Sequence, residues 1–355
     1  QKMGEVKPDW VIPGSKAKWL NIVLDRAISM AERDKNHPSI LIWSCGNESF
    51  GGEDIYKMSQ YFRAKDPSRV VHYEGVFRDR RFNDTSDVES RMYALVNEIE
   101  EYLKDNPQKP FISCEYMHAM GNSCGGMHKY IELEDKYELY QGGFIWDYID
   151  QFLIKKDRFG NEVLAYGGDF DDRPTDYNFC GDGIVYANRK PSPKVQEVKS
   201  LYQNLKLIVD DNGVLVKNKN LFIDTSDYVL EYSLYLNGKQ IYIDTIDAII
   251  KAGEEKYIEF KLPERNEKGE YAVNCAFKLR NSTLWAKKGY PVAFGQFVYR
   301  FGVEDLKKNE KYHKIKKLNI IYGDINVGVK NENFSVLFSK QEGRSEERRV
   351  GKECP

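Results

Sequence analysis

After Ser15 the apolar positions Trp19, Leu20, Val23, Leu24, Ala27, Ile28 and Ala31 recur with a helical period. This predicts a helix with one buried face and Ser15 as its cap. Pro38 then opens Ser39-Ile40-Leu41-Ile42-Trp43-Ser44, too continuously apolar for a strand with one wet face. A helical stretch begins at Glu53, and Val70-Val71-His72-Tyr73-Glu74 reads as a second strand. Residues 88–93 make a third, weaker one, followed by a helical pattern at Leu95, Ile99 and Leu103. Residues 110–115 form the fourth, a helical segment reaches about Leu139, and residues 143–148 form the fifth. Strands alternating with helices predict βα units on a parallel sheet. Five strands are counted, where a closed (β/α)8 barrel takes eight. The first two hundred residues therefore read as an open sheet, or as the later part of a TIM barrel whose start lies outside the chain.

Near Leu205 the pattern changes to strict alternation. Leu230, Tyr232, Leu234 and Leu236 alternate with Glu231, Ser233 and Tyr235, and Asn237-Gly238 then marks a hairpin turn before Lys239. Asn212-Gly213 is a second turn of this kind, and residues 257–262, 271–279 and 294–300 supply further strands. Short strands at such intervals predict an immunoglobulin-type sandwich over 201–300. Residues 320–327 and 334–338 look like the opening strands of another β domain over 301–343, too short to build its own core. The run from Arg344 to Cys354 reads as a translated sequencing adapter, so 344–355 is set aside as an artefact.

Composition narrows the class. The 355 residues carry 53 basic and 55 acidic side chains, a net charge of −2, which offers no electrostatic case for nucleic acid or an anionic membrane. No apolar run approaches the roughly 20 residues of a membrane span. Aromatic content of 13% suits a carbohydrate binder and thick β cores alike. Six cysteines lack Cys-x-x-Cys spacing, so neither a zinc site nor a redox motif is indicated. Cys45 and Cys114 lie inside apolar runs and read as reduced, buried thiols, which favours a cytoplasmic protein. The chain begins with Gln1, so a leader peptide is not addressed by its sequence.

The candidate chemistry lies in two glutamates. Glu48 in Gly46-Asn47-Glu48-Ser49 and Glu115 in Cys114-Glu115-Tyr116-Met117-His118 each close a predicted strand. Glycoside hydrolysis needs one carboxyl to protonate the leaving oxygen and another to attack or to activate water. Strand ends of a barrel converge on one face, so both groups can reach one pocket. Either glutamate alone is as readily a half-exposed carboxylate; the pair, with its neighbours, favours chemistry.

Four ordered segments carry a family resemblance. Asn36-His37-Pro38-Ser39-Ile40 leading into Gly46-Asn47-Glu48-Ser49 resembles the acid/base segment of glycoside hydrolase family 2. The run Cys114-Glu115-Tyr116-Met117-His118-Ala119-Met120-Gly121-Asn122-Ser123 resembles the nucleophile segment of its large bacterial β-galactosidase branch. Gly142-Gly143-Phe144-Ile145-Trp146-Asp147-Tyr148-Ile149-Asp150-Gln151 and Tyr166-Gly167-Gly168-Asp169-Phe170 are similar to that branch as well. The resemblance implies a multidomain protein: the C-terminal part of a (β/α)8 TIM barrel over 1–200, an all-β immunoglobulin-like sandwich, and the start of a further β domain. In short, it implies an internal fragment.

It also implies roles. Glu48 would be the general acid/base and Glu115 the nucleophile of a retaining hydrolase acting on terminal β-D-galactosyl residues. Asn47 would hydrogen-bond the sugar hydroxyl next to the anomeric carbon, and Tyr93 would contact the nucleophile. His118 would hold sugar hydroxyls, and Trp146 would form an apolar floor. Read without the resemblance, Tyr93 is an ordinary strand-end aromatic, His118 a structural histidine and Trp146 a core residue. Magnesium would bind Glu48 with a glutamate and a histidine outside this chain. Sodium would bind the Phe179 carbonyl and Asp182, where the family has asparagine. The full-length protein would be a homo-oligomer, and this fragment alone would be inactive and poorly soluble. Rival specificities are β-glucuronidase and β-mannosidase; a rival of another class is a non-catalytic carbohydrate-binding or structural protein.

Overall fold

The apolar run before Glu48 does form a strand, but a short one. In the computed structural model, which describes residues 7–302 and 317–350, β1 (Ile42–Ser44) pairs in parallel with β2 (Val70–His72), Ile42 opposite Val70 and Ser44 opposite His72. A second parallel sheet holds β3 (Glu89–Met92), β4 (Phe111–Tyr116) and β5 (Tyr140–Ile145) in chain order. Side chains lace β2 to the approach of β3. Asp87 Oδ2 accepts from the Val71 N–H at 2.8 Å, and Ser86 Oγ accepts from the Tyr73 N–H at 3.0 Å. All five predicted strands are present, and no closed barrel forms among the described residues.

Helices α1 (Ala17–Asp34), α2 (Glu53–Lys65), α3 (Val96–Lys104) and α4 (His128–Lys136) intervene, and α5 (Lys194–Leu201) follows. Of the predicted apolar face of α1, Val23, Ala27 and Ala31 are buried, and two alanines one turn apart let α2 pack closely. Trp43 of β1 stacks on Phe62 of α2 at 5.5 Å, with its indole N–H donating to Asp66 at 3.0 Å. A second core gathers Ile99, Phe111, Met127, Leu133 and Tyr140 between α3, α4 and the sheet. Each such side chain withdrawn from water contributes about 1.5–3 kcal/mol.

Two expectations are corrected here. Ser15 does not cap α1, whose cap position is Lys16 with no side-chain capping bond; the Ser15 hydroxyl instead accepts from the Glu53 N–H at 3.0 Å, serving the first turn of α2. Strand β5 begins at Tyr140, three residues before the predicted start at 143. Its position is set by close approach: a Cβ on Gly143 would lie 2.9 Å from Ser113 Cβ, so a glycine is needed for β5 to pair with β4 there. Beyond β5 come the hairpin β6 (Leu153–Lys156) and β7 (Glu162–Ala165), and Ile149 bridges Val185 in parallel.

The chain divides into two units, 1–203 and 204–355. In the second, β8 (Leu205–Val209) and β9 (Gly213–Asn218) are followed by β10 (Tyr228–Leu236) and β11 (Lys239–Ile246), and then by β12 (Glu255–Glu259), β13 (Gly269–Leu279) and β14 (Pro291–Phe301). They make two antiparallel sheets, ordered β12-β9-β8 and β11-β10-β13-β14, around one apolar core that includes Val214, Val216, Leu230, Leu234, Val273 and Phe277. The predicted turn is explicit: Asn237 and Gly238 both have positive φ, 49° and 81°, as a two-residue hairpin loop requires.

A meander of β15 (Asn319–Tyr322), β16 (Asn326–Lys330), β17 (Phe334–Ser339) and β18 (Ser345–Val350) ends the described chain. The predicted single strand over 320–327 is a hairpin, because Asp324 and Ile325 bend the backbone and the Gly323 N–H donates to Asn326 O at 2.9 Å. The segment set aside from residue 344 supplies β18, paired with β17 through backbone groups that every composition possesses. Residues 303–316 of the expected third domain and 351–355 of the adapter-like run lie outside the described residues.

Candidate active site

The loop after β1 is held from β2. The Cys45 N–H continues the pairing by donating to His72 O at 2.9 Å, and Ser44 Oγ lies 3.0 Å from His72 Nδ1. The chain then turns through Gly46 and places Glu48 at a left-handed φ of 53°. The Glu48 N–H donates to Glu74 Oε1 at 2.7 Å. A Cβ on Gly75 would sit 2.2 Å from the Phe50 carbonyl oxygen, so the turn after β2 lies directly against this loop.

Glu115 is aimed by an irregularity. Arg91 pairs with Ser113 but Met92 with Glu115, leaving Cys114 as an extra residue in β4. Alternation alone would put Cys114 and Glu115 on opposite faces; the slip lets both line one cavity. Tyr93 grips Glu115 twice, its N–H donating to Glu115 O at 2.8 Å and its hydroxyl to Oε2 at 2.9 Å. Tyr93 itself has a left-handed φ of 51°.

The cavity has a volume of about 620 Å³, inside the usual range for small-ligand sites. Asn47, His72, Glu74, Cys114, Glu115 and Trp146 are in its wall. Glu48 is exposed beside it rather than in the wall. The His118 ring is 5.8 Å from that of Tyr93 and 5.8 Å from that of Phe179. Of the residues proposed from sequence, Asn47, Glu115 and Trp146 thus share the cavity, with Tyr93 and His118 adjoining Glu115.

The electrostatics are those of crowded, half-dry carboxylates. Burial raises the Glu115 pKa above the ordinary carboxylate value; the Tyr93 hydroxyl opposes this, the Glu48 charge adds to it, and His118 opposes it. Burial also raises Glu74, opposed by the Glu48 amide and by Arg78, and reinforced by the charges of Glu48 and Glu115. Tyr93 is raised by burial and by its bond to Glu115, so it remains a donor. His72 is pushed down to about 4 and Cys114 up to about 11, both by burial. At neutral pH the first is therefore an uncharged imidazole and the second a thiol with no nucleophilic character.

The metal expectations fare unevenly. No three His, Cys, Asp or Glu side chains are grouped to hold a metal ion among the described residues. Glu48 is exposed, and the magnesium site expected of it takes two further ligands. Asp182 is different: it is buried, and its Oδ1 has no hydrogen-bond partner, an arrangement a hard cation fits. The Phe179 side chain is exposed. Glu74 was not among the residues singled out from sequence, although it ends its predicted strand much as Glu48 and Glu115 end theirs.

The family profile described as "Glycosyl hydrolases family 2, TIM barrel domain" matches residues 1–207, and "Beta-galactosidase, domain 4" matches residues 214–300. A β-galactosidase of Halalkalibacterium halodurans is 60% identical over 345 residues, covering 97% of this chain and 34% of that protein. One of Clostridium acetobutylicum is 58% identical over 343 residues, covering 97% and 38%. Among solved structures, a Bacteroides uniformis β-glucuronidase has a TM-score of 0.40 at 12% identity, covering 82% of this chain and 37% of that one. The chain spans about a third of the length of the curated relatives it matches.

Proposed function

The chain belongs to glycosyl hydrolase family 2, and from that membership we propose that, in the full-length protein, Glu48 and Glu115 hydrolyse terminal β-galactosides by double displacement. The observation that carries this reading is Glu115, aimed into the cavity from β4 and gripped by Tyr93, with Glu48 close enough for its charge to act on it. Glu115 attacks the anomeric carbon as Glu48 protonates the departing oxygen. Water activated by Glu48 then releases the galactosyl group from Glu115, and configuration is retained. This chemistry works with carboxyl groups about 5–5.5 Å apart.

Tyr93 occupies Glu115 Oε2, which leaves Oε1 for attack. Trp146 supplies an apolar floor, while Asn47 and His118 bind sugar hydroxyls. Asp182 and the Phe179 carbonyl would hold a sodium ion, which when bound supplies positive charge to a sugar hydroxyl. The parallel strands are part of a TIM barrel, and the seven strands around one core are read as an immunoglobulin-type sandwich. Five free cysteines among the described residues support a reducing, cytoplasmic setting.

A β-glucuronide is disfavoured by charge. Its carboxylate would enter a cavity whose wall, among the described residues, carries Glu74 and Glu115 and no lysine or arginine. Assay of the full-length protein on nitrophenyl β-galactoside, β-glucuronide and β-mannoside tests the assignment. Turnover of the galactoside is expected; turnover of another glycoside alone would reject it.

A further inference from the structure

Glu74 has features the proposed chemistry does not use. It is 1% exposed, in the cavity wall, and a buried carboxyl so close to two others is costly to retain. One oxygen accepts from the Glu48 N–H at 2.7 Å, and the other is buried without a partner. The surrounding contacts all bear on the same loop. Gly75 lies against the Phe50 carbonyl, and Arg78 stacks its guanidinium 5.0 Å from the Phe50 ring. The Glu48 backbone is left-handed, a conformation costing a non-glycine residue about 1–2 kcal/mol, so it needs an external hold.

We propose that Glu74 is a positioning residue: its carboxyl fixes the Glu48 main chain in this conformation and thereby aims the acid/base at the leaving-group oxygen. This rests on the reading of Glu48 as the acid/base. The clamp acts through backbone and not through the Glu48 carboxyl, so its loss misdirects protonation and leaves Glu115 in place. Misplacement of a catalytic group by about 1 Å costs on the order of 10²-fold in rate. That cost falls where a proton is required.

The test uses the full-length protein and galactosides whose leaving groups rise in basicity. Glu74→Met removes the acceptor at similar size, and Glu74→Gln keeps a carbonyl oxygen in its place. For Glu74→Met, kcat/KM, which reports galactosylation alone, should fall by about 10²-fold with alkoxide leaving groups and hardly at all with dinitrophenolate, which departs without protonation. Glu74→Gln should restore the wild-type dependence. An equal loss across the series, or a glutamine variant as damaged as the methionine one, overturns the proposal. Amide hydrogen exchange of the wild-type protein needs no variant to fold: the Glu48 N–H should exchange more slowly than that of Asn47, and equal rates would overturn the clamp. Exchange is read without turnover, so a protein inactive on every galactoside would reject the function and leave the clamp separately testable.

Discussion

Six carboxylates are buried in the first unit among the described residues (Asp54, Glu74, Asp79, Glu89, Asp150 and Asp182), and none in the second. The buried side-chain atoms without partners follow the same division, with Glu74 Oε2 and Asp182 Oδ1 among them. The sandwich also buries polar groups, but it satisfies them. Asn218 Nδ2 donates to Ile223 O and Ile250 O, while Thr225 Oγ1 donates to Ala248 O and accepts from the Ile250 N–H. Left-handed non-glycine residues divide in a similar way among the described residues: Glu48 and Tyr93 flank Glu115 in the first unit, whereas the second has Asn237 in a hairpin turn. Each unpaired buried polar group costs about 1–3 kcal/mol. Of these, Glu74 Oε2 belongs to the cavity wall; a unit that tolerates an unpaired carboxyl oxygen there is holding polarity for a ligand, and a unit without such groups is built for packing.

The comparison can be broken by variants on each side. Glu115→Gln in the full-length protein should reduce turnover by at least about 10⁴-fold, the scale of losing a nucleophile, without lowering the thermal midpoint. The sign follows from linkage: the folded pKa of Glu115 is raised, so its stabilising effect is present below the unfolded pKa and lost as pH rises through the folded one. At neutral pH the neutral glutamine is therefore no worse for stability. Unchanged turnover would remove Glu115 from the mechanism. Phe277→Ala in the sandwich core should do the reverse. It should cost about 3–5 kcal/mol by denaturant titration and leave kcat per folded molecule intact.

Tyr93→Phe sharpens the picture within the first unit. Loss of a hydrogen bond to a charged group, about 1.5–3 kcal/mol, corresponds to roughly 10- to 100-fold in kcat/KM. The Tyr93 hydroxyl opposes the rise in the Glu115 pKa, so its removal should move the acidic limb of the kcat/KM profile to higher pH. A limb that stays in place would separate Tyr93 from the nucleophile. The smallest effect belongs to Asn237→Ala: about 1 kcal/mol of stability from the left-handed backbone, with no change in activity.

Much of this was legible in the chain. Strands β1, β2 and β4 announce themselves as apolar runs, and Asn237-Gly238 as a turn, because local pattern and local geometry agree. The start of β5 was not legible, since it depends on how closely Gly143 approaches Ser113, thirty residues away. The partner of Ser15 was not either: Glu53 lies 38 positions on, and adjacency to α1 suggested a nearer role. Glu48 and Glu115 stood out by their place after buried strands. Glu74 has the same place, yet Tyr73-Glu74-Gly75 lacks a motif, and its meaning comes from a contact with Glu48 across 26 residues. The slip at Cys114 that turns Glu115 into the cavity is likewise a property of pairing with β3.

The central claim is that Glu115 bonds to the sugar. A galactoside fluorinated beside the anomeric carbon and carrying dinitrophenolate slows the second step, so a galactosyl-enzyme accumulates. Incubated with the full-length protein, digested and sequenced by mass spectrometry, it should leave the added mass on Glu115 within the peptide that contains Cys114 and His118. A label on any other residue, or turnover of the unmodified galactoside with inversion of configuration, would contradict the account.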